Sequence, residues 1–371
     1  MYPSIRISGT AYERGFAYGT AAKDRIAKTV SSYRAVYAAY AGLDWAAARD
    51  VASGFTPAIE AFEPRYLAEL SGLAAGSGFA LDEILAINCR TEIMFSGLAK
   101  QMLAGECSAF AALPERTRSG GTLIGQNWDW LPFSTETVVV LEVEQADRPN
   151  FVTVVEAGLL AKFGMNSAGL GLATNALVSD RDDGQPGVPY HLLLRGVLDC
   201  STLAEAMNLL SSHRRASSAN YLIASADGFA VDMECLPGRG ATAAPLTPSG
   251  GYLAHTNHLL SPSLRDRDVL LPVQTDTLIR LQSIERDLRI TTGVSVESLT
   301  GALRSHADYP SSVCTHVTEG SEKPMNSMTV ASGIMDLSNR RMWLADGQPC
   351  LHEHRELDLS ILGAPDAELA S

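Results

Sequence analysis

The sequence predicts an α+β protein in which β-sheets carry helices on their outer faces. Three observations predict it. The first part of the chain is rich in alanine and has helical periodicity. Strand patterns begin abruptly at Gly105-Glu106-Cys107 and dominate the chain from there. Helical patterns then return between further strand-like segments, so sheets and helices share the second part.

The expected helices follow apolar periodicity and start signals such as Asp82. In the first part they cover residues 10–28, 31–40, 55–73 and 81–100, and in the second part residues 190–198, 203–212, 273–288 and 296–305. The clearest expected strands cover residues 122–124, 138–143, 151–155, 328–336 and 341–344.

Composition narrows the classes of function. The 371 residues carry a formal net charge of −13, which disfavours nucleic acid and anionic membrane surfaces as partners. Residues 1–19 contain Arg6, Glu13 and Arg14 and do not resemble a secretory signal. No apolar run approaches the ~18 residues of a membrane helix. Six cysteines without a Cys-x-x-Cys pair indicate reduced thiols, and we expect a cytoplasmic protein.

Cys107 is the first candidate for chemistry, because it stands where helical patterns give way to strands. An isolated cysteine is by itself more often a small buried apolar residue than a nucleophile. The segment Gly125-Gln126-Asn127-Trp128-Asp129-Trp130 follows it. This segment is either a turn whose Asn and Asp cap backbone groups, or a strand that presents a carboxylate beside Cys107.

Histidines raise the question of a metal. His255 and His258 could share a helical turn, but their segment is typical of a strand or loop, and no acidic or cysteine ligand has matching spacing. His352 and His354 are interpreted as ordinary surface or core histidines. We therefore expect neither a metal nor a cofactor.

Short motifs along nearly the whole chain give a stronger signal through their order and spacing. They are Gly9-Thr10-x-Tyr12-Glu13-x-Gly15, Asn88-Cys89-Arg90-Thr91-Glu92, Cys107, Gly125-Gln126-Asn127-Trp128-Asp129, Asn166-Ser167-Ala168-Gly169, Asn175-Ala176-Leu177, His255-Thr256-Asn257-His258 and Tyr309-Pro310-x-Ser312-Val313-Cys314. With them the sequence resembles the acyl-coenzyme A:6-aminopenicillanic acid acyltransferase family of autoproteolytic cysteine enzymes. It is more distantly similar to bile salt hydrolases.

The resemblance implies a four-layer αββα fold of the N-terminal-nucleophile hydrolase type. It also implies a precursor that cuts itself between Glu106 and Cys107, giving a helical α chain of residues 1–106 and a catalytic β chain of residues 107–371. The α chain would remain a partner of the β chain. The oligomeric state is left open.

The resemblance also assigns roles. Cys107 would be the nucleophile, its freed α-amine the general base, and Asp129 the group that orients the amine. Asn257 would donate its side-chain amide to the oxyanion, and Asn175 would complete the oxyanion hole through its backbone N–H. Asn127 is a possible supporting residue.

One departure from the family concerns charge. Thr315 stands where the family usually has an arginine, so Arg90 is a candidate for the missing cation. The implied activity is hydrolysis or transfer of an acyl group on a linear amide of a small acylated amine, penicillin-like amides included, with acyl-coenzyme A as a candidate co-substrate. The alternative is a homologue that fails to process itself and acts as a binding or scaffold protein.

Overall fold

The computed structural model describes residues 1–95, 107–317 and 326–363. Within them the strands form one eight-stranded sheet, in the order β1-β4-β5-β6-β7-β8-β9-β10, and one six-stranded sheet, in the order β11-β2-β3-β12-β13-β14. The strands are β1 (Ser4–Ile7), β2 (Cys107–Ala112), β3 (Leu123–Trp130), β4 (Val138–Val143), β5 (Phe151–Glu156), β6 (Phe163–Asn166), β7 (Leu170–Ala176), β8 (Ala219–Ser225), β9 (Ala230–Cys235), β10 (Ala243–Leu246), β11 (Tyr252–His255), β12 (Met328–Asp336), β13 (Arg341–Ala345) and β14 (Arg355–Glu356).

The helices fall into two groups along the chain. They are α1 (Ala11–Ala21), α2 (Lys23–Val36), α3 (Trp45–Ser53), α4 (Thr56–Phe62), α5 (Pro64–Ser77), α6 (Leu81–Asn88) and α7 (Arg90–Phe95), followed after the first strands by α8 (Tyr190–Leu198), α9 (Leu203–Ser212), α10 (Asp276–Ile290) and α11 (Val296–Leu303).

The two sheets pack face to face, and helices cover both outer faces. Strands β2 and β3 of the smaller sheet lie against β7 of the larger one, and Gln126 Oε1 accepts a hydrogen bond across the interface from Thr174 N at 2.7 Å. Helices α8 and α9 pack on the larger sheet, and α10 and α11 on the smaller. The predicted α+β class and αββα layering are therefore confirmed.

The N-terminal helices are shorter and more numerous than periodicity predicted. The expected helix over residues 55–73 is two helices, because Pro64 lacks an N–H and begins α5 at its first position. Helix α3 (Trp45–Ser53) was not predicted, although Asp44 caps it by accepting from Ala47 N. Residues 96–100 of the expected helix over 81–100 lie outside the described residues.

Helices α1 and α5 pack backbone against backbone. Gly15 and Gly19 face α5, while Gly72 and Gly76 face α1. A Cβ placed on any of the four would lie 1.9–2.4 Å from a carbonyl oxygen of the other helix. Glycine is therefore required here by the close approach of the two helices.

The N-terminal helices are joined to the sandwich by buried polar contacts. Tyr18 Oη accepts from Gly158 N at 2.9 Å, beyond the end of β5. Glu69 on α5 pairs with Arg14 at 3.0 Å and with Arg195 of α8 at 3.5 Å. One apolar cluster runs from these helices into the facing sheets, so the described helices share their core with the sandwich.

Among the described helices none is by itself long and apolar enough to cross a membrane; α5 and α6, bent by 117° at their junction, meet the length and composition criteria only as a pair.

Candidate active site

Cys107 is the first residue of β2, an inner strand of the smaller sheet. It lies opposite Trp128 on β3, which places Asp129 one residue further along the neighbouring strand. The strand interpretation of residues 125–130 is thus correct, and the alternative of a turn is wrong. Cys107 is 2% exposed.

Side chains, and not only strand partners, hold the main chain of Cys107. Its N–H donates to Asn257 Oδ1 at 2.7 Å. Its carbonyl oxygen accepts from Arg280 Nη1 at 2.8 Å and from Asn175 Nδ2 at 3.1 Å. Three side chains from distant parts of the chain therefore converge on one residue.

The Cys107 thiol lies against Asp129, with Sγ 3.9 Å from the Asp129 carbonyl oxygen. Burial raises the pKa of this thiol, the nearby ammonium of Lys162 opposes that shift, and the negative charge of Asp129 adds to it. The thiol is therefore protonated in this environment near neutral pH, and its use as a nucleophile requires a base.

The Asp129 carboxylate is fixed by two hydroxyls. Thr315 Oγ1 lies 3.0 Å from Oδ2, and Thr329 Oγ1 lies 2.5 Å from Oδ1. Thr329 is the residue opposite Asp129 on β12. Thr315, where the resemblance implies an arginine, thus contacts the carboxylate through a neutral hydroxyl.

Asn257 and Asn175 are each oriented by several neighbours. Asn257 N donates to Thr277 Oγ1 at 2.8 Å, and Asn257 Nδ2 donates to the Ala176 carbonyl at 2.9 Å. Asn175 lies near the end of β7, and its Oδ1 accepts from Asn220 Nδ2 at 3.2 Å. Their roles at an oxyanion stay predictions.

Arg280 is a cation in contact with Cys107, and sequence reasoning missed it. It lies on α10, is fully buried and pairs with Asp276 at 3.0 Å. The buried residues of α10 include Thr277, Leu281 and Ile284, so Arg280 stands on the apolar face of the helix. The sequence signal that could have found Arg280 is a charged residue on the apolar face of a helix, because a buried charge needs a partner.

The two other supporting candidates have contacts of their own. Arg90 forms an ion pair with Glu156 at 3.2 Å, and its guanidinium lies 4.2 Å from the ring centroid of Trp130. Asn127 Nδ2 donates to the carbonyls of Leu303 and Val313 at 2.9 and 2.7 Å. Asn127 thus fastens α11 and the segment before Thr315 to β3. Glu106, the other side of the expected cleavage, lies outside the described residues.

The αββα sandwich is the fold of the N-terminal-nucleophile hydrolase class, and Cys107 begins one of its inner strands. The chain belongs to the acyl-coenzyme A:6-aminopenicillanic acid acyl-transferase family, whose sequence profile matches residues 116–350. It is therefore a member of an enzyme family.

The chain is also similar to several individually named proteins. The chain is 26% identical over 349 residues to the acyl-coenzyme A:6-aminopenicillanic-acid-acyltransferase 40 kDa form of Emericella nidulans, over 93% of this chain and 92% of the relative. Among solved structures it is similar to a variant of conjugated bile acid hydrolase from Clostridium perfringens (TM-score 0.48, 12% identity, 70% of this chain and 95% of that chain). It is also similar to an N-acylethanolamine-hydrolyzing acid amidase ortholog from Caenorhabditis elegans (TM-score 0.43, 14% identity, 62% and 93%).

Proposed function

We propose that the protein is an autoproteolytic cysteine enzyme that hydrolyses or transfers the acyl group of a small acylated amine, with Cys107 as its N-terminal nucleophile. The observation that carries the proposal is a set of three hydrogen bonds to the Cys107 main chain. The partners are the side chains of Asn257, Asn175 and Arg280. A chain terminus normally frays. Side-chain contacts of this kind keep Cys107 in place after the bond before it is broken.

The processing step needs no group beyond the chain and water. The Cys107 thiol attacks the Glu106 carbonyl carbon, the C–S bond forms, and the C–N bond breaks. The thiol proton passes to the departing α-amine. Water then hydrolyses the thioester, which leaves a carboxylate on Glu106 and a free thiol and α-amine on Cys107.

The freed α-amine supplies the base that the buried thiol lacks. An α-amine has a reference pKa of about 7.7–8.0, so part of it is neutral near pH 7 and can accept the thiol proton. The thiolate attacks the substrate carbonyl, the amine leaves with a proton, and an acyl-enzyme remains. Water releases the acid, or an acceptor amine takes the acyl group.

The supporting roles of Asp129, Asn257 and Asn175 are those that the family resemblance implies, and the contacts are compatible with them. Asp129, held by Thr315 and Thr329, orients the freed amine. Asn257 uses one hydrogen of Nδ2 for Ala176 and offers the second to the oxyanion, together with the backbone N–H of Asn175. Donors of this kind contribute about 3–4 kcal/mol in the transition state. Arg280 keeps a positive charge beside the reacting groups.

The substrate class rests on the family and on the name of the Emericella relative. An acyl-coenzyme A thioester and a penicillin-like amide are therefore the first compounds to test, with no cofactor added. The α chain is the proposed lasting partner, because Arg14, Glu69 and Arg195 form a buried network across the junction. Free cysteines support a cytoplasmic site of action.

Mass spectrometry of the freshly purified, denatured protein tests the proposal. Wild type should give fragments of 106 and 371 − 106 = 265 residues. Cys107→Ala should give one intact chain, and Cys200→Ser, at a buried cysteine away from the site, should be cleaved like wild type. An intact wild-type chain would favour the binding or scaffold protein.

Processed protein is then incubated with an acyl amide or thioester, with and without an acceptor amine. Acid as the main product in both cases identifies a hydrolase, and acceptor-dependent amide identifies a transferase. No turnover of either class by cleaved protein would contradict the enzymatic part of the proposal while leaving self-cleavage standing.

A further inference from the structure

Two histidines and two cysteines come together beside the candidate active site. The ligand atoms of His306, Cys314, His316 and Cys350 all lie within 4.8 Å of one another. The Sγ atoms of Cys314 and Cys350 are 3.5 Å apart, and His316 Nε2 lies 3.5 and 3.3 Å from them. His306 Nε2 lies 3.2 Å from His316 Nε2.

These separations fit the edges of a zinc tetrahedron. Bond lengths of about 2.3 Å to sulfur and about 2.0–2.1 Å to nitrogen place tetrahedral ligands about 3.8 Å (S to S), 3.5 Å (S to N) and 3.3 Å (N to N) apart. Each of the four separations given above lies within about 0.3 Å of its counterpart. The Sγ atoms are far beyond the ~2.05 Å of a disulfide bond.

Hydrogen bonds within the chain position the segments that carry the four ligands. Cys314 N donates to the Ser305 carbonyl at 3.0 Å, and His316 N donates to the Pro310 carbonyl at 3.0 Å. Arg304 Nε donates to the Pro349 carbonyl at 2.7 Å, which ties the turn bearing Cys350 to the segment bearing His306. The ligands thus come from segments that are already fastened together.

The donor set identifies the ion and its role. Two thiolates and two imidazoles form a donor set that favours Zn²⁺ over Ca²⁺ and Mg²⁺, which prefer oxygen ligands. Four protein ligands leave no open coordination position, which is typical of structural and not catalytic zinc. Cys314 is buried while His306 is exposed, so an ion can enter from solvent on the His306 side.

We propose that His306, Cys314, His316 and Cys350 bind one structural zinc ion. Thr315 stands between two of the ligands and contacts Asp129 at 3.0 Å. The ion would therefore fix the segment that holds the Asp129 carboxylate. The spacing rules that predicted no metal did not find this site, because Cys350 is 34 residues beyond His316 and local spacing carries no signal for it.

Metal content tests the proposal directly. The full chain is expressed in zinc-supplemented medium with a tag free of histidine, purified under reducing conditions without chelator, and analysed by inductively coupled plasma mass spectrometry. About one zinc per chain is expected in wild type. Cys350→Ser and His306→Ala should retain less than about a tenth of that, whereas Cys200→Ser and His352→Ala should bind like wild type.

Cobalt provides a second readout. Co²⁺ added to chelator-treated wild type should give the visible bands of tetrahedral cobalt and a thiolate-to-metal charge-transfer band, both absent in Cys350→Ser. Because His306 is exposed, His306→Ala should fold as wild type does by circular dichroism. Zinc is also measured in the Cys107→Ala chain, which should not cleave itself. Zinc bound there would show that metal binding does not depend on the proposed self-cleavage.

Three results would overturn the proposal. One is wild-type protein that takes up neither zinc nor cobalt. Another is a ligand variant that folds and still carries a full equivalent of zinc. The third is a Cys314–Cys350 disulfide in the purified protein, seen as a mass lower by two hydrogens and as two thiols resistant to alkylation.

Discussion

Arg280 Nη1 lies 2.8 Å from the carbonyl oxygen of Cys107, although the two residues are 173 positions apart in the chain. The same nitrogen lies 3.1 Å from Asn257 Oδ1, the atom that accepts the Cys107 N–H. A buried guanidinium thus touches the candidate nucleophile and the residue that positions it. Arg280 provides a fixed charge at a site where Thr315 provides none.

Replacing Arg280 should slow both self-cleavage and turnover. We expect Arg280→Met to lower the rate of each by about 10²-fold or more, as for loss of an oxyanion-hole donor, with Arg280→Lys in between. Since the change leaves Asp276 without its ion pair, the variant is also made with Asp276→Asn. Rates come from a time course of fragment appearance and from kcat.

Arg286→Met, on the exposed side of the same helix, is the matched control and should behave as wild type. A folded Arg280→Met chain that cleaves and turns over at the wild-type rate would show that the guanidinium has no part in the chemistry.

The hydroxyl of Thr315 should matter more than its methyl group. Thr315→Val keeps the shape but removes the hydroxyl, whose one proton is shared between the Asp129 carboxylate at 3.0 Å and the Ser312 carbonyl oxygen at 2.7 Å. A hydrogen bond to a charged group contributes about 1.5–3 kcal/mol. We expect a fall in kcat of at least about 10-fold. Thr315→Ser keeps the bond and should stay near wild type. Equal rates in the two variants would show that the Thr315 hydroxyl has no part in orienting Asp129.

Stability should depend on pH through His255. Burial by itself would lower the pKa of His255, but the carboxylates of Asp232 and Glu234 outweigh it and raise the pKa to about 9. His255 Nε2 lies 2.9 Å from Glu234 Oε1. Because the pKa of His255 is higher in the folded than in the unfolded chain, protonated His255 stabilises the fold. This stabilisation is fully present below the unfolded-state pKa of about 6.5 and is lost as pH rises through about 9.

Chemical denaturation of wild type and His255→Gln from pH 6 to pH 10, in steps of about one unit, measures this effect. The difference in the free energy of unfolding should be about 1–3 kcal/mol near pH 6 and should shrink toward pH 10. A difference that stays constant over this range would mean that His255 is neutral in the folded protein.

The close contact of α1 and α5 should not tolerate a methyl group. In Gly72→Ala the new Cβ would lie 2.1 Å from the Tyr12 carbonyl oxygen, so the helices must separate. We expect a loss of about 1–3 kcal/mol or more in the free energy of unfolding. Gly301→Ala, in α11 with no atom within 4 Å of the new Cβ, should instead gain up to about 1 kcal/mol. Equal stabilities would show that the helices are not in backbone contact.

Local pattern was sufficient for some strands, although it left residues 125–130, which belong to β3, open between a strand and a turn. Residues 328–336 were expected as a strand and form β12 (Met328–Asp336). Helix ends were predicted less well: α4 and α5 are separate because Pro64 overrides a continuous periodic pattern. Strand β1 (Ser4–Ile7) has too few residues to show a pattern and forms through parallel pairing with β4.

Within the candidate site, the sequence by itself determined Cys107, Asp129, Asn175 and Asn257 as candidates, because each stands in a short motif whose order along the chain is informative. Tertiary structure alone decided that Arg280 contacts Cys107, that Arg90 pairs with Glu156, and that His306 and Cys350 come together. These contacts join distant segments. Sheet pairing and helix packing fix them, and neither leaves a local signature in residue spacing.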